Sequence, residues 1–155
     1  MSSDEVIPLL GLTSEDERVK KFLAACDITK LPKLKSDETD IIVANKKLGI
    51  EITLVDEDDL DVKSQEYEEG SLVLSNVRMY GDDHPSFHRF KGELPHGLKF
   101  EIDRKKAQSK LGKKPGWDNK DLISARWDFK THCVFLTFDE KYSKIRVCDI
   151  QLPVK

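Results

Sequence analysis

The feature of this sequence that most constrains its fold is a pattern of helix, proline and strands that occurs twice. Each half of the chain has an apolar stripe with helical spacing, then a proline, then about three segments that alternate like β-strands. Each pattern covers roughly 75 residues, which is long enough for one supersecondary unit. Since one helix cannot cover a whole sheet, we expect the two units to pack side by side or to share one continuous sheet.

In the first half, the helix is predicted from four apolar residues at the spacing i, i+3, i+4 and i+7: Val19, Phe22, Leu23 and Cys26. Ser14 and Glu17 form a capping-box pattern that predicts its start, and Pro32 interrupts the pattern. Three strands are predicted next, at 41–44, 48–55 and 72–80, the first two as a hairpin around 45–47. In the second of them, the residues predicted to face the core are Leu48, Ile50, Ile52 and Leu54.

The second half repeats this order. Asp103 is predicted to cap a helix that ends near Leu111, because Gly112 suits a left-handed position after a helix and Pro115 cannot continue it. Ile102 and Ala107 are placed to pack together as a hydrophobic staple. Three strands are predicted at 122–129, 132–138 and 144–152.

We therefore predict an α+β fold built as a single domain over residues 1–155. Two tandem helix-plus-antiparallel-sheet units, about 6–80 and 93–155, are joined by the connector 81–92. They are expected to form a sheet platform with the helices on one face.

The N-terminus predicts a cytoplasmic protein. Residues 1–5 are acidic where a secretory signal carries positive charge, and the apolar stretch 6–12 is broken by Pro8 and Gly11. No apolar run approaches the ~18 residues that span a bilayer, so no membrane association is expected. Three cysteines stand far apart at apolar positions, without a metal or redox spacing, and are predicted to be buried free thiols: Cys26, Cys133 and Cys148.

Charge is distributed unevenly along the chain. Residues 36–70 hold twelve acidic residues and three lysines, a charge of −9, which leaves the remainder at +6 because the whole chain is −3. One strongly acidic segment argues against direct nucleic-acid binding and favours a cationic partner.

Two clusters of polar residues contain the side-chain types of a catalytic or metal-binding site, but the spacing of neither fits such a site. Asp82, Asp83, His84 and His88 could hold a metal or transfer protons, but Pro85 makes this segment a turn, so it is predicted as a polar connector whose Phe87 and Phe90 pack on the core. A calcium loop starting at Asp56 fails because Leu60 falls where a ligand oxygen is needed. We predict no catalytic residue, no metal site and no cofactor.

The acidic run and neighbouring aromatic residues are the predicted partner-binding surface. Like charges this dense repel one another unless a positive surface approaches, although a merely solvated loop is an equal alternative. Trp127 is predicted to pack in the core, and Trp117, beside Pro115 and Gly116, to be an exposed anchor. The predicted contact residues are Asp56, Glu57, Asp58, Asp59, Asp61, Tyr67, Glu68, Glu69 and Trp117.

The second half also carries a resemblance to known folds. Residues 97–103, then Leu111 and Gly112 with Pro115, then Trp127 and two strands, resemble the helix-plus-sheet repeat of β-lactamase-inhibitor-like and outer-membrane-assembly lipoprotein folds. Over the full length, Gly11-Leu12, the segment 95–98 and the turn 112–115 resemble bacterial immunity proteins of polymorphic or type VI secretion toxins.

This resemblance implies a cytoplasmic inhibitor that covers the active site of one cognate toxin, which an acidic surface would fit if the toxin were a nuclease with a basic cleft. Two alternatives stay open. One is a small enzyme or ligand-binding protein with a pocket between the two units and His84, His88 or His96 at its mouth. The other is an adaptor or chaperone whose partner keeps its activity. The oligomeric state is not predicted.

Overall fold

A seven-stranded antiparallel sheet forms the framework of the protein in a computed structural model that describes residues 2–154. Its strands are β1 (Asp40–Asn45), β2 (Ile50–Asp56), β3 (Leu72–Tyr80), β4 (Trp117–Asn119), β5 (Ser124–Asp128), β6 (Cys133–Phe138) and β7 (Ile145–Gln151). Within the described residues there are two α-helices, α1 (Glu17–Ala25) and α2 (Arg104–Leu111), with short 3₁₀ turns elsewhere. The predicted α+β class is confirmed.

The two halves of the chain join at the centre of the sheet. The strand order is β1-β2-β3-β7-β6-β5-β4, so the last strand of the first half pairs with the last strand of the second. This pairing runs from Asn76 opposite Gln151 to Tyr80 opposite Val147. The halves therefore share one continuous sheet, while the residue bounds assigned to the two units stay a prediction.

One face of the sheet is covered by the hydrophobic core. Alternate strand residues such as Ile52, Val77 and Ile150 are fully buried and lie in register across β2, β3 and β7. Both helices place apolar residues in the same cluster, among them Phe22 and Leu111, so the helices lie on this face. Full burial of each such side chain contributes roughly 1.5–3 kcal/mol.

The second helix follows its prediction closely. The Asp103 carboxylate accepts a hydrogen bond from the Lys106 backbone NH at 2.8 Å, and Gly112 adopts a left-handed conformation (φ 74°) directly after the helix. Ile102 and Ala107 are both buried, as the staple requires. All three cysteines are buried and free, which confirms their predicted state.

The start of the first helix differs from its prediction. Asp16, and not Ser14, caps α1, because its carboxylate accepts a hydrogen bond from the Arg18 backbone NH at 2.9 Å. The Ser14 backbone NH instead donates to the Leu72 carbonyl, as part of an N-terminal segment that pairs with β3. Because its backbone pairs with β3, Ser14 does not act as the N-cap of α1.

Two strand predictions also need correction. Leu48 is exposed rather than in the core, because Gly49 turns the chain with φ 70° and β2 starts only at Ile50. The second half has four strands rather than three, since residues around Trp117 form the short edge strand β4 beside β5. Neither helix within residues 2–154 is long and apolar enough to cross a membrane.

Gly49 is expected to tolerate alanine much less well than Gly70, although both have positive φ. A Cβ at Gly49 would collide with the His88 carbonyl oxygen and lie 2.6 Å from the Phe90 nitrogen, whereas none of the described atoms lies within 4 Å at Gly70. Gly70→Ala should cost about 1–2 kcal/mol from backbone strain alone. Gly49→Ala should cost about 2 kcal/mol more from the clash, and urea-unfolding midpoints measure both. Equal losses for the two variants would contradict this packing.

Candidate functional site

The face of the sheet opposite the helices carries polar and aromatic side chains across its whole width. Strand pairing places seven residues in one row on this side: Ala44, Glu51, Arg78, Asp149, Phe135, Arg126 and Trp117. Side chains alternate between the two faces of a strand, so these residues point away from the core. We call the non-core side of β1–β7 the open face.

An ion pair between a buried carboxylate and a partly exposed arginine occupies the centre of the open face. The Arg78 Nε donates to Asp149 Oδ2 at 3.0 Å, and the Asn76 amide donates to the other carboxylate oxygen. Asp149 is only 2% exposed. Its burial raises the pKa of the carboxyl to about 6, and the nearby Arg78 and Asn76 oppose that rise. The pair holds the β3–β7 junction at the point where the two halves meet.

Aromatic and charged groups lie together on the half of the open face formed by β4, β5 and β6. The Trp117 ring stacks on Phe135 with 5.4 Å between centroids. Beside them Arg126 Nε donates to Asp128 Oδ1 at 2.7 Å, which lowers the pKa of Asp128. Trp117 is therefore half-buried against Phe135 rather than a free anchor, but it stays at the surface of the open face.

The connector 81–92 folds over one corner of the sheet. Phe87 stacks on Tyr80 with 4.0 Å between ring centroids, and the Tyr80 hydroxyl donates to Glu51 at 3.4 Å. Phe90 packs in the core as predicted, whereas the Phe87 ring stacks on Tyr80, which lies outside the core cluster. The carboxylates of the connector are engaged in ion pairs, Asp82 with Arg89 at 2.8 Å and Asp83 with Lys144 at 2.5 Å.

The predicted acidic contact residues divide into exposed and engaged groups. Asp58, Asp59, Asp61, Glu68 and Glu69 are exposed, and Asp56 is half-buried. Leu60 and Val62 border a shallow depression together with Asn76 and Gln151, so this segment adjoins the open face. We call residues 56–69 the acidic loop.

Two predicted contact residues also make hydrogen bonds that shape the acidic loop. Glu57 is 4% exposed and accepts a hydrogen bond from Lys63 Nζ at 3.0 Å, which lowers the pKa of its carboxyl. The Tyr67 hydroxyl donates to the Gly11 carbonyl at 2.5 Å and so ties the loop to the N-terminal segment. Carboxylate oxygens of Asp56, Glu57 and Asp58 lie within 4.8 Å of one another, but acidic groups commonly cluster at a protein surface without an ion.

A pair of histidines was not recognised in the sequence. His96 Nε2 lies 2.9 Å from His132 Nε2, and the Phe129 ring stacks on both imidazoles. Burial lowers the pKa of both, and the Asp4 carboxylate partly opposes this. The residues are 36 positions apart, so no local spacing could have indicated their contact. His84, which the sequence singled out, packs against Tyr80 and Phe87 instead.

Asp149 is expected to titrate near pH 6 in the folded protein. A folded-state pKa above the ordinary value of about 3.9 means that the folded state binds the proton more tightly. Its contribution to stability is therefore greatest below pH 4 and declines as the pH rises through 6. Arg78→Gln should raise the pKa further, because Arg78 favours the charged carboxylate.

Carboxyl-carbon NMR titration measures this directly. Asp118, whose pKa Arg104 holds below its usual range, is the internal control and should not respond to Arg78→Gln. An ordinary pKa for Asp149 in the native protein would contradict the prediction that burial outweighs the pairing with Arg78 and Asn76.

Comparison with known proteins gives no relative from which a role could be transferred. No family model matches the chain, no curated protein matches it, and no solved structure matches its fold.

Proposed function

We propose that this protein is an inhibitory binding module, and specifically an immunity protein that covers the active site of a cognate bacterial toxin. The main observation that supports this proposal is the composition of the open face. Four residues of its central row lie on paired strands: Trp117, Phe135, Arg78 and Arg126. Aromatic residues and arginine are the groups most enriched at binding hot spots. The toxin assignment itself rests on the sequence resemblance.

Rigid presentation supports a binding role for this surface. The strands are held by paired backbone hydrogen bonds, and the Arg78–Asp149 pair fixes the side chains at the centre. Side chains that are already ordered lose little conformational entropy when a partner binds. An open face of this kind is therefore suited to contact a protein surface without rearrangement.

The acidic loop supplies the second part of the proposed contact. Its exposed carboxylates, including Asp58, Asp59 and Asp61, adjoin the open face through Leu60 and Val62. A negative surface beside the central row of the open face favours a partner with a basic cleft, such as a nuclease. The attraction between the opposite charges also speeds the association of the two proteins. Glu57 and Tyr67 have a supporting role in this proposal, because their hydrogen bonds hold the conformation of the loop.

Reversing the exposed loop charges is expected to slow association with the toxin. The triple variant Asp58→Lys, Asp59→Lys and Asp61→Lys should lower the association rate by about tenfold or more at low salt and flatten its salt dependence. The toxin to use is the protein encoded beside this gene, and stopped-flow or surface plasmon resonance measures the rate. The control is Glu15→Lys with Glu17→Lys, since these acids are equally exposed beside α1 on the covered side. Equal rates for the two variants would remove the loop from the interface.

Truncating Trp117, which stacks on Phe135, is expected to shorten the lifetime of the complex with the toxin. Trp117→Ala should raise the dissociation rate by about tenfold or more, as loss of a hot-spot residue typically costs over 1 kcal/mol. Leu122→Ala is the matched control, because Leu122 is 60% exposed in the turn after β4. Thermal unfolding of both variants checks that the fold survives, and similar dissociation rates would place the contact elsewhere.

Co-expression distinguishes inhibition from the other functions. Growth of cells that express the neighbouring toxin should be rescued by this protein and not by its Trp117→Ala, Asp58→Lys combination. A complex in which the partner keeps full activity would indicate an adaptor instead and would overturn the inhibitory proposal.

A further inference from the structure

The histidine pair lies outside the proposed binding surface and is arranged like a ligand set. We propose that His96 and His132 bind one divalent transition-metal ion through their Nε2 atoms, with water completing the coordination. Imidazole nitrogen suits zinc, copper and nickel among the divalent metals. The proposal is independent of toxin binding and departs from the sequence prediction of no metal site.

The distance between the two nitrogens is close to what such an ion requires. The Nε2 atoms are 2.9 Å apart. A tetrahedral ion bound at about 2.0–2.1 Å to each nitrogen separates two nitrogens by about 3.3 Å. A change of a few tenths of an ångström, within reach of small rotations of the imidazole rings, therefore admits the ion.

The local structure restrains the orientation of both rings. His132 is 6% exposed, and its Nδ1 lies 2.9 Å from the Thr131 hydroxyl, which can accept the Nδ1 proton and leave the Nε2 lone pair free. A hydrogen bond of this kind at the second nitrogen is typical of metal-binding histidines. The Phe129 ring stacks on both imidazoles and limits their rotation.

The site also has an anionic group and access to solvent. The His96 backbone NH donates to Asp4 Oδ1 at 3.3 Å, so this exposed carboxylate is tied to the backbone of the His96 turn and adds negative charge in the neighbourhood of both rings. His96 itself adopts a left-handed backbone conformation (φ 57°) in the turn that presents its ring to His132. The partly exposed His96 ring gives an ion access from solvent, and the Asp4 carboxylate lowers the cost of bringing positive charge to this region.

Titration of the untagged, chelator-treated full chain with Zn²⁺ and Co²⁺ tests the proposal. Calorimetry with Zn²⁺ should give one site per chain, and the visible absorption of bound Co²⁺ should report coordination by nitrogen and oxygen. His96→Gln should weaken binding at least tenfold, and circular dichroism checks its fold. Thr131→Val, which alters only the group orienting His132, should weaken it by about 10–100-fold.

The matched control is the double variant His84→Gln and His88→Gln, which removes the other two of the four histidines and should bind as the native chain does. A second control, Asp58→Asn, tests the acidic cluster as the source of any signal. Saturable binding that is lost in His96→Gln and kept in both controls supports the site. Absence of saturable binding, binding that survives His96→Gln, or loss in Asp58→Asn alone would overturn it.

Discussion

The antiparallel pairing of β3 with β7 is the contact on which the rest of the structure depends. It joins the two halves of the chain into one sheet, and its two faces carry opposite chemistry. On the covered face Val77 meets Ile150 within the core, and on the open face Arg78 meets Asp149. A one-residue slip would exchange these faces and would place the charged pair among apolar side chains. Register at this junction is therefore strongly specified by both faces together.

The Asp149 carboxylate is nearly inaccessible to solvent although it lies on the open face, and its pairing with Arg78 and Asn76 offsets the cost of that burial. Asp149 receives hydrogen bonds from Asn76 and Arg78, so both carboxylate oxygens have partners. Removing either partner would leave a buried group unsatisfied, which costs about 1–3 kcal/mol or more for a charged group.

The surface proposed for binding combines an ordered part and an extended acidic part. Trp117 and Phe135 are held by strand pairing. The acidic loop is closed internally by the hydrogen bond of Lys63 to Glu57 and is attached to the N-terminal segment by the hydrogen bond of Tyr67 to Gly11. The histidine pair is separate from this surface, because it lies where the segment around His96 meets the β5–β6 hairpin.

The sequence alone determined the elements whose signals are local. Alternation placed β3 at the predicted bounds, and the Asp103 cap with Gly112 fixed both ends of α2, because these depend on residues a few positions apart. Which strands meet depends on tertiary contacts, since the pairing of β3 with β7 joins residues from 67 positions apart (Tyr80 and Val147) to 75 positions apart (Asn76 and Gln151). The same holds for the diversion of Ser14 from its helix and for the contact of His96 with His132. In each case a partner distant in the sequence supplies the deciding interaction, and no local pattern encodes its position.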